Sequence, residues 1–284
     1  MARHEVPTGN AERGLEVLGR SLSRALAVVD AGPRELARVG QVALTVAESR
    51  GLLDPTARQL ETWDAYVLAM HARTALFAVA TSEVSPVECR FGEETRLIAA
   101  TGPQSAADAG TWVEAFWLSV ICREPARLDM LCAVPIEVLR ASGAVYDEYV
   151  YSWVETLQAY WRKDSVVVEK LTAAIEGTDP EVLRVGKPES VLSLIYPPMA
   201  VLYQLLRGDG EKFNAALVEA VELHRDFWSE EDDDRAITST GFVALGPLAV
   251  ACMAYDGGVP IEIESEYLPK NLLERSWVGD YPTA

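Results

Sequence analysis

Between residues 146 and 161 the bulky apolar positions recur three and four apart: Tyr146, Tyr149, Val150, Trp153, Val154, Leu157, Tyr160 and Trp161. That spacing lays one stripe along a helix and predicts an amphipathic α-helix. Phe213, Ala216, Leu217, Ala220, Val221, His224, Phe227 and Trp228 repeat it, so a second helix is expected there. Asp54-Pro55, Asp179-Pro180 and Gly32-Pro33 with Glu35 predict helix starts near residues 55, 180 and 33, because a proline's missing N–H costs nothing in a first turn. Gly51, Gly177 and the glycines of the 207–210 turn mark the stops. Pro197-Pro198 predicts a kink or break at Tyr196.

Two stretches depart from the helical period. Residues 87–91 and 95–99 flank Gly92-Glu93-Glu94, which predicts a short β-hairpin between 87 and 99. Residues 259–267 alternate apolar and acidic positions, the signature of an extended, half-exposed segment. The longest apolar run, residues 242–255, is 14 long and holds Gly246 and Pro247, so it reads as a buried helix too short to cross a bilayer. Residues 146–161 with 165–175, and 189–206 with 211–228, have the spacing of helical hairpins. The expected fold is therefore all-α, antiparallel hairpins stacked in a tetratricopeptide-like array that lacks the repeat's own signature. No low-complexity linker divides the chain. A single helical domain over 1–284 is expected, frayed over residues 1–10.

Composition changes the picture in one respect. With 49% hydrophobic and 24% charged residues the chain is of ordinary globular type, but its net charge is −18. The imbalance grows along the chain: 11 basic against 13 acidic residues over 1–100 (net −2), and 6 against 16 over 201–284 (net −10). Such a field repels nucleic-acid backbones and anionic lipid, so neither is expected as a direct partner, and it favours basic ones. Cys89, Cys122, Cys132 and Cys252 form no Cys-x-x-Cys pair and stand among apolar neighbours, as buried reduced thiols do. The first ten residues lack the apolar core of a secretory signal, so a cytoplasmic location is expected.

Searching for chemistry yields little. The three histidines, His4, His71 and His224, lack the spacing of a helix-borne zinc site and read as hydrogen-bonded core imidazoles. His224-Arg225-Asp226 resembles a kinase catalytic loop, but Glu231 stands where the metal-binding asparagine belongs. Nucleophile elbows, phosphate loops and dinucleotide fingerprints are missing too, so no catalytic residue, metal or cofactor is expected. Two acidic clusters remain. Glu230, Glu231, Asp232, Asp233 and Asp234 follow the second helix as a solvated loop or a docking patch. Glu262, Glu264 and Glu266 would line one edge of an extended segment, either for solubility or to read lysine and arginine on a partner. Tyr267 and Trp277 are the nearest aromatic anchors; Trp277 alternatively pins the C-terminal tail to the body.

The segment Val243-Ala-Leu-Gly-Pro-Leu-Ala-Val-Ala-Cys-Met-Ala-Tyr-Asp256, continuing through residues 259–269, resembles the immunity 49 family of bacterial polymorphic-toxin systems. Tyr196-Pro-Pro-Met199, Phe213-Asn214 and the 112–117 segment add to the likeness, which spans about residues 63–282. The resemblance implies an all-helical cytoplasmic protein that binds and neutralises a cognate toxin without catalysis or cofactor. The charge adds that the toxin is basic, as a nuclease would be. A helical-repeat scaffold and an enzyme with an unfamiliar site are the competing readings.

Overall fold

The computed structural model describes residues 1–230, 235–281 and 283. They are mostly α-helical, with one two-stranded antiparallel sheet among them, and gather into two compact units. One unit contains Thr8–Ala144 and the described part of Trp277–Ala284; the other contains Met1–Pro7 and Val145–Ser276.

The first unit runs α1 (Ala11–Leu26), α2 (Pro33–Arg50), α3 (Leu60–Thr81), β1 (Val87–Phe91), β2 (Glu94–Ile98), α4 (Ala109–Ile121), α5 (Pro125–Cys132) and α6 (Ile136–Arg140). Helix α3 is its axis, packed against α2, α4, α5 and β1. Beyond its first turn it is buried on nearly every side, by Trp63, Tyr66, Met70 and Phe77 along one stripe and by Ala65, Ala69, Ala72 and Val79 elsewhere, as expected of a helix at the centre of a core. Two of its buried polar residues are held from within: Thr74 Oγ1 donates to the Met70 carbonyl at 2.8 Å, and Arg73 Nη2 pairs with Glu114 at 2.8 Å. The hairpin pairs Val87 with Ile98 and Phe91 with Glu94, and Gly92 takes φ +62 in the two-residue turn. Cys89, Phe91 and Ile98 turn inward. All four cysteines are free and buried.

The second unit runs α7 (Glu148–Arg162), α8 (Val167–Glu176), α9 (Pro188–Ser190), a π-helical turn (Val191–Ile195), α10 (Tyr196–Arg207), α11 (Gly210–Trp228), α12 (Leu245–Asp256) and α13 (Lys270–Leu273). Helices α7 and α8 form one antiparallel hairpin, α10 and α11 a second, and α10 packs on both α8 and α12. An 18-residue window, Ser239–Asp256, reaches a mean hydropathy of 1.2; 61% of it is buried in this unit, and α12 is its helical part.

Helix boundaries follow the sequence where capping is local and differ where it is not. α2 starts at Pro33 and α8 ends at Gly177, as expected. The start expected near residue 55 is delayed to Leu60, because the Asp54 carboxylate accepts the Arg58 and Gln59 N–H groups, both at 2.9 Å, and Ala57 takes φ +53. No helix starts at 180. Residues 184–186 instead donate their N–H groups to the Asp147 carboxylate, with 2.7 Å from both Arg184 and Gly186, which withdraws the donors a helix would use. These bonds overcome the upward push of burial and hold the Asp147 carboxyl below its usual value. At Tyr196 the break takes the form of a π turn, its N–H reaching back to the Val191 carbonyl. Pro197 and Pro198 lack the donors and the room that a regular α turn needs there. The N-terminal residues expected to fray are anchored in part: His4 is buried and Arg3 donates to the Phe242 carbonyl at 3.0 Å.

Candidate partner-binding surface

After α12 the chain turns at Gly258, φ +82, runs through residues 259–265 outside any helix or sheet, and enters a turn at Glu266. Glu262, Glu264 and Glu266 are exposed, while Ile261, Ile263 and Ser265 between them are half-buried, the alternation an extended chain produces over a packed surface. With no strand partner, the segment's backbone is held at its two ends, by the Asn214 side chain and by the N-terminal residues. Asn214 on α11 accepts the Glu262 N–H at 2.9 Å and donates to the Pro260 carbonyl at 2.9 Å. At the other end Glu266 N–H donates to the Met1 carbonyl at 3.1 Å, the Met1 nitrogen donates to the Glu264 carbonyl, and Arg3 Nη2 donates to the Glu266 carbonyl at 2.9 Å.

The three carboxylates differ in their freedom. Glu266 Oε2 accepts the Arg3 N–H at 3.0 Å, and Glu264 lies 3.7 Å from the Lys270 ammonium. Glu262 makes no ion pair among the described residues. Of the other acidic cluster, Glu230 is exposed and 3.2 Å from Arg235, which also pairs with Glu189 at 2.6 Å and lies over the Phe227 ring at 4.3 Å. Glu231, Asp232, Asp233 and Asp234 lie outside the described residues.

Neither aromatic anchor belongs to this strip. Tyr267, expected beside it, is fully buried: its ring stands edge-on to His224 at 5.1 Å and its hydroxyl accepts the His4 N–H at 2.9 Å. Trp277 belongs to the other unit, where its Nε1 donates to the Ala57 carbonyl at 2.8 Å and its ring lies 5.8 Å from that of Tyr281. It pins the tail. Sequence reasoning missed the residues that hold the strip, Asn214 and Arg3; an asparagine on the buried stripe of α11 was the available signal, since a buried carboxamide requires partners.

The histidines are core imidazoles. His224 Nε2 lies 3.1 Å from the Gly241 carbonyl and His71 Nε2 lies 2.8 Å from that of Thr283, while His71 Nδ1 accepts the Gly92 N–H at 3.1 Å. Burial lowers both to about 4, and lowers His4 as well. Among the described residues no group of three His, Cys, Asp or Glu side chains is placed to hold a metal ion.

Compared with known proteins, the chain matches one family model, Immunity protein 49, over residues 54–272. No curated protein and no solved structure matches it. The matched span takes in Asn214 and the acidic strip; the N-terminal residues bonded to that strip lie outside it.

Proposed function

We propose, because the chain belongs to the immunity protein 49 family, that it protects its cell by binding a cognate toxin stoichiometrically and covering the surface the toxin works with. The toxin is basic on the face that docks, as a nuclease is where it holds nucleic acid, and the encounter takes place in the cytoplasm. The protein turns over no substrate. The observation behind this reading is the strip of Glu262, Glu264 and Glu266, presented outward from a backbone tied down at both ends.

A pre-ordered row of carboxylates suits this role for two reasons. Charge complementarity steers encounter and fixes partner choice, and side chains on an ordered backbone lose less entropy on docking than those on a free loop. Exposed ion pairs contribute only about 0–1 kcal/mol each, so the strip speeds docking more than it holds the complex. The apolar centre of the interface must come from elsewhere. Tyr255, exposed at the end of α12 just before the strip, is the aromatic residue we assign to it.

The test uses the toxin encoded beside this gene. Reversing Glu262, Glu264 and Glu266 to lysine should slow association about tenfold and flatten its dependence on salt. An unchanged on-rate removes the strip from the mechanism. Failure of the wild-type protein to rescue cells expressing that toxin removes the immunity reading.

A further inference from the structure

Beneath the hairpin of the first unit lies a cavity of about 250 Å³. Its floor is Ala75 and Ala78 of α3; Cys89, Arg90 and Thr95 of the hairpin and Arg127 of α5 form its walls. Among the described residues each guanidinium makes one hydrogen bond, which leaves its other donors available. Arg90 Nε donates to the Gly92 carbonyl at 2.8 Å, and Arg127 Nη1 donates to Thr74 Oγ1 at 2.8 Å. Neither has an ion pair among the described residues, in a chain where acids outnumber bases 43 to 25. Two unpaired cations facing one small cavity are therefore the reverse of what the overall charge would place there.

We infer that this cavity is an oxyanion site, binding a phosphate or carboxylate group between Arg90 and Arg127. The chemistry follows from the guanidinium: a planar fork with five donors, matched to the oxygens of carboxylate and phosphate, and stronger in such bonds than toward neutral acceptors. Burial lowers the Arg127 pKa, and the nearby Arg90 charge pushes it the same way, so an anion between them relieves a repulsion already present. Buried Glu124 offsets part of the Arg127 charge, but its Oε1 is engaged by the Thr283 hydroxyl. Glu88, exposed on the cavity's rim, is the carboxylate an incoming anion has to pass. The volume lies below the roughly 300–1,000 Å³ of pockets for drug-sized ligands, and the floor is two methyl groups. The site therefore suits a free oxyanion or the phosphate or carboxylate end of a small metabolite, and nothing as large as a nucleotide.

The site owes nothing to the toxin reading, and its test omits the toxin. Inorganic phosphate and succinate are titrated into the full chain by calorimetry at fixed ionic strength, with sodium chloride as reference. Saturable binding of either anion beyond the chloride control is expected, and which one binds tells a tetrahedral from a planar ligand. R90Q and R127Q should each weaken it about tenfold or more, the loss of a charged hydrogen bond. R90K and R127K keep the charge without the fork, and should recover only part of the affinity. Far-ultraviolet circular dichroism shows whether each variant is folded, and R90Q alone, on the half-exposed strand, decides the matter if R127Q is not. Binding no different from chloride overturns the inference, and so does binding that survives in the folded variants.

Discussion

The Asn214 carboxamide oxygen accepts the Glu262 backbone N–H at 2.9 Å, tying the acidic strip to the buried face of α11. Its nitrogen meanwhile donates to the Pro260 and Gly210 carbonyls, so one side chain satisfies both directions of the strip's backbone. N214A leaves those groups unpaired next to the core and should cost about 1–3 kcal/mol, read from urea unfolding. Hydrogen exchange at the Glu262 amide should accelerate more than at amides within α11. Equal acceleration across the unit would mean that Asn214 supports the fold generally and not the strip in particular.

Stability should fall as the solution is acidified from pH 6.5 toward 4. His71 and His224 titrate near 4 in the native protein because burial disfavours their charged forms, against an ordinary value of 6.5. The unfolded chain therefore binds protons in this window and the native state does not, so each histidine withdraws up to about 3 kcal/mol across it and nothing above it. Urea midpoints measured every half pH unit give the slope. Proton NMR of the imidazoles should show no titration of these two rings above pH 5; a midpoint near 6.5 for either would contradict its burial.

Gly177 closes α8 against α7 with almost no clearance. A Cβ there would stand 2.5 Å from Tyr149 Cβ and 3.3 Å from the Ala173 carbonyl oxygen. G177A should thus destabilise the α7–α8 hairpin by about 1–3 kcal/mol through overpacking, although its backbone angles are ones alanine adopts freely. Thermal unfolding provides the measurement, and a neutral result would show that the two helices separate easily.

Trp277 should matter to the tail of the first unit and not to a toxin. W277F keeps an aromatic ring but loses the bond to the Ala57 carbonyl, at about 1 kcal/mol. W277A loses the packing on Tyr281 as well and should expose the tail to proteolysis at lower enzyme concentrations. Toxin association rates should be the same for both variants and the wild type.

The anchoring of Tyr267 bears on how far the strip could be read in advance. Its position is out of phase with Glu262, Glu264 and Glu266, so the alternation that exposes the glutamates also places the tyrosine on the inward side. That signal was present, yet proximity along the chain suggested an exposed anchor. The structure decides otherwise because His4 of the N-terminal segment and His224 of α11, 220 positions apart in sequence, close over the ring. Arg90 and Arg127 give a comparable case: 37 positions separate them, each is ordinary where it stands, and only the packing of the hairpin and α5 beside α3 brings them to one cavity.

What the sequence determined by itself is what repeats within a few residues. The stripes at 146–161 and 213–228, the hairpin around Gly92 and the alternation at 259–267 are readable because a helix or an extended chain projects neighbouring residues by its own geometry. Tertiary structure decided where a backbone donor finds its acceptor. Asp147 takes the N–H groups of residues 184–186, where Asp179-Pro180 would otherwise have started a helix, and Asn214 accepts the Glu262 N–H and donates to the Pro260 carbonyl, 48 and 46 positions away. A hydrogen-bonding group must be satisfied by whatever the folded chain brings within about 3 Å, and that distance in space leaves no fixed trace in distance along the sequence.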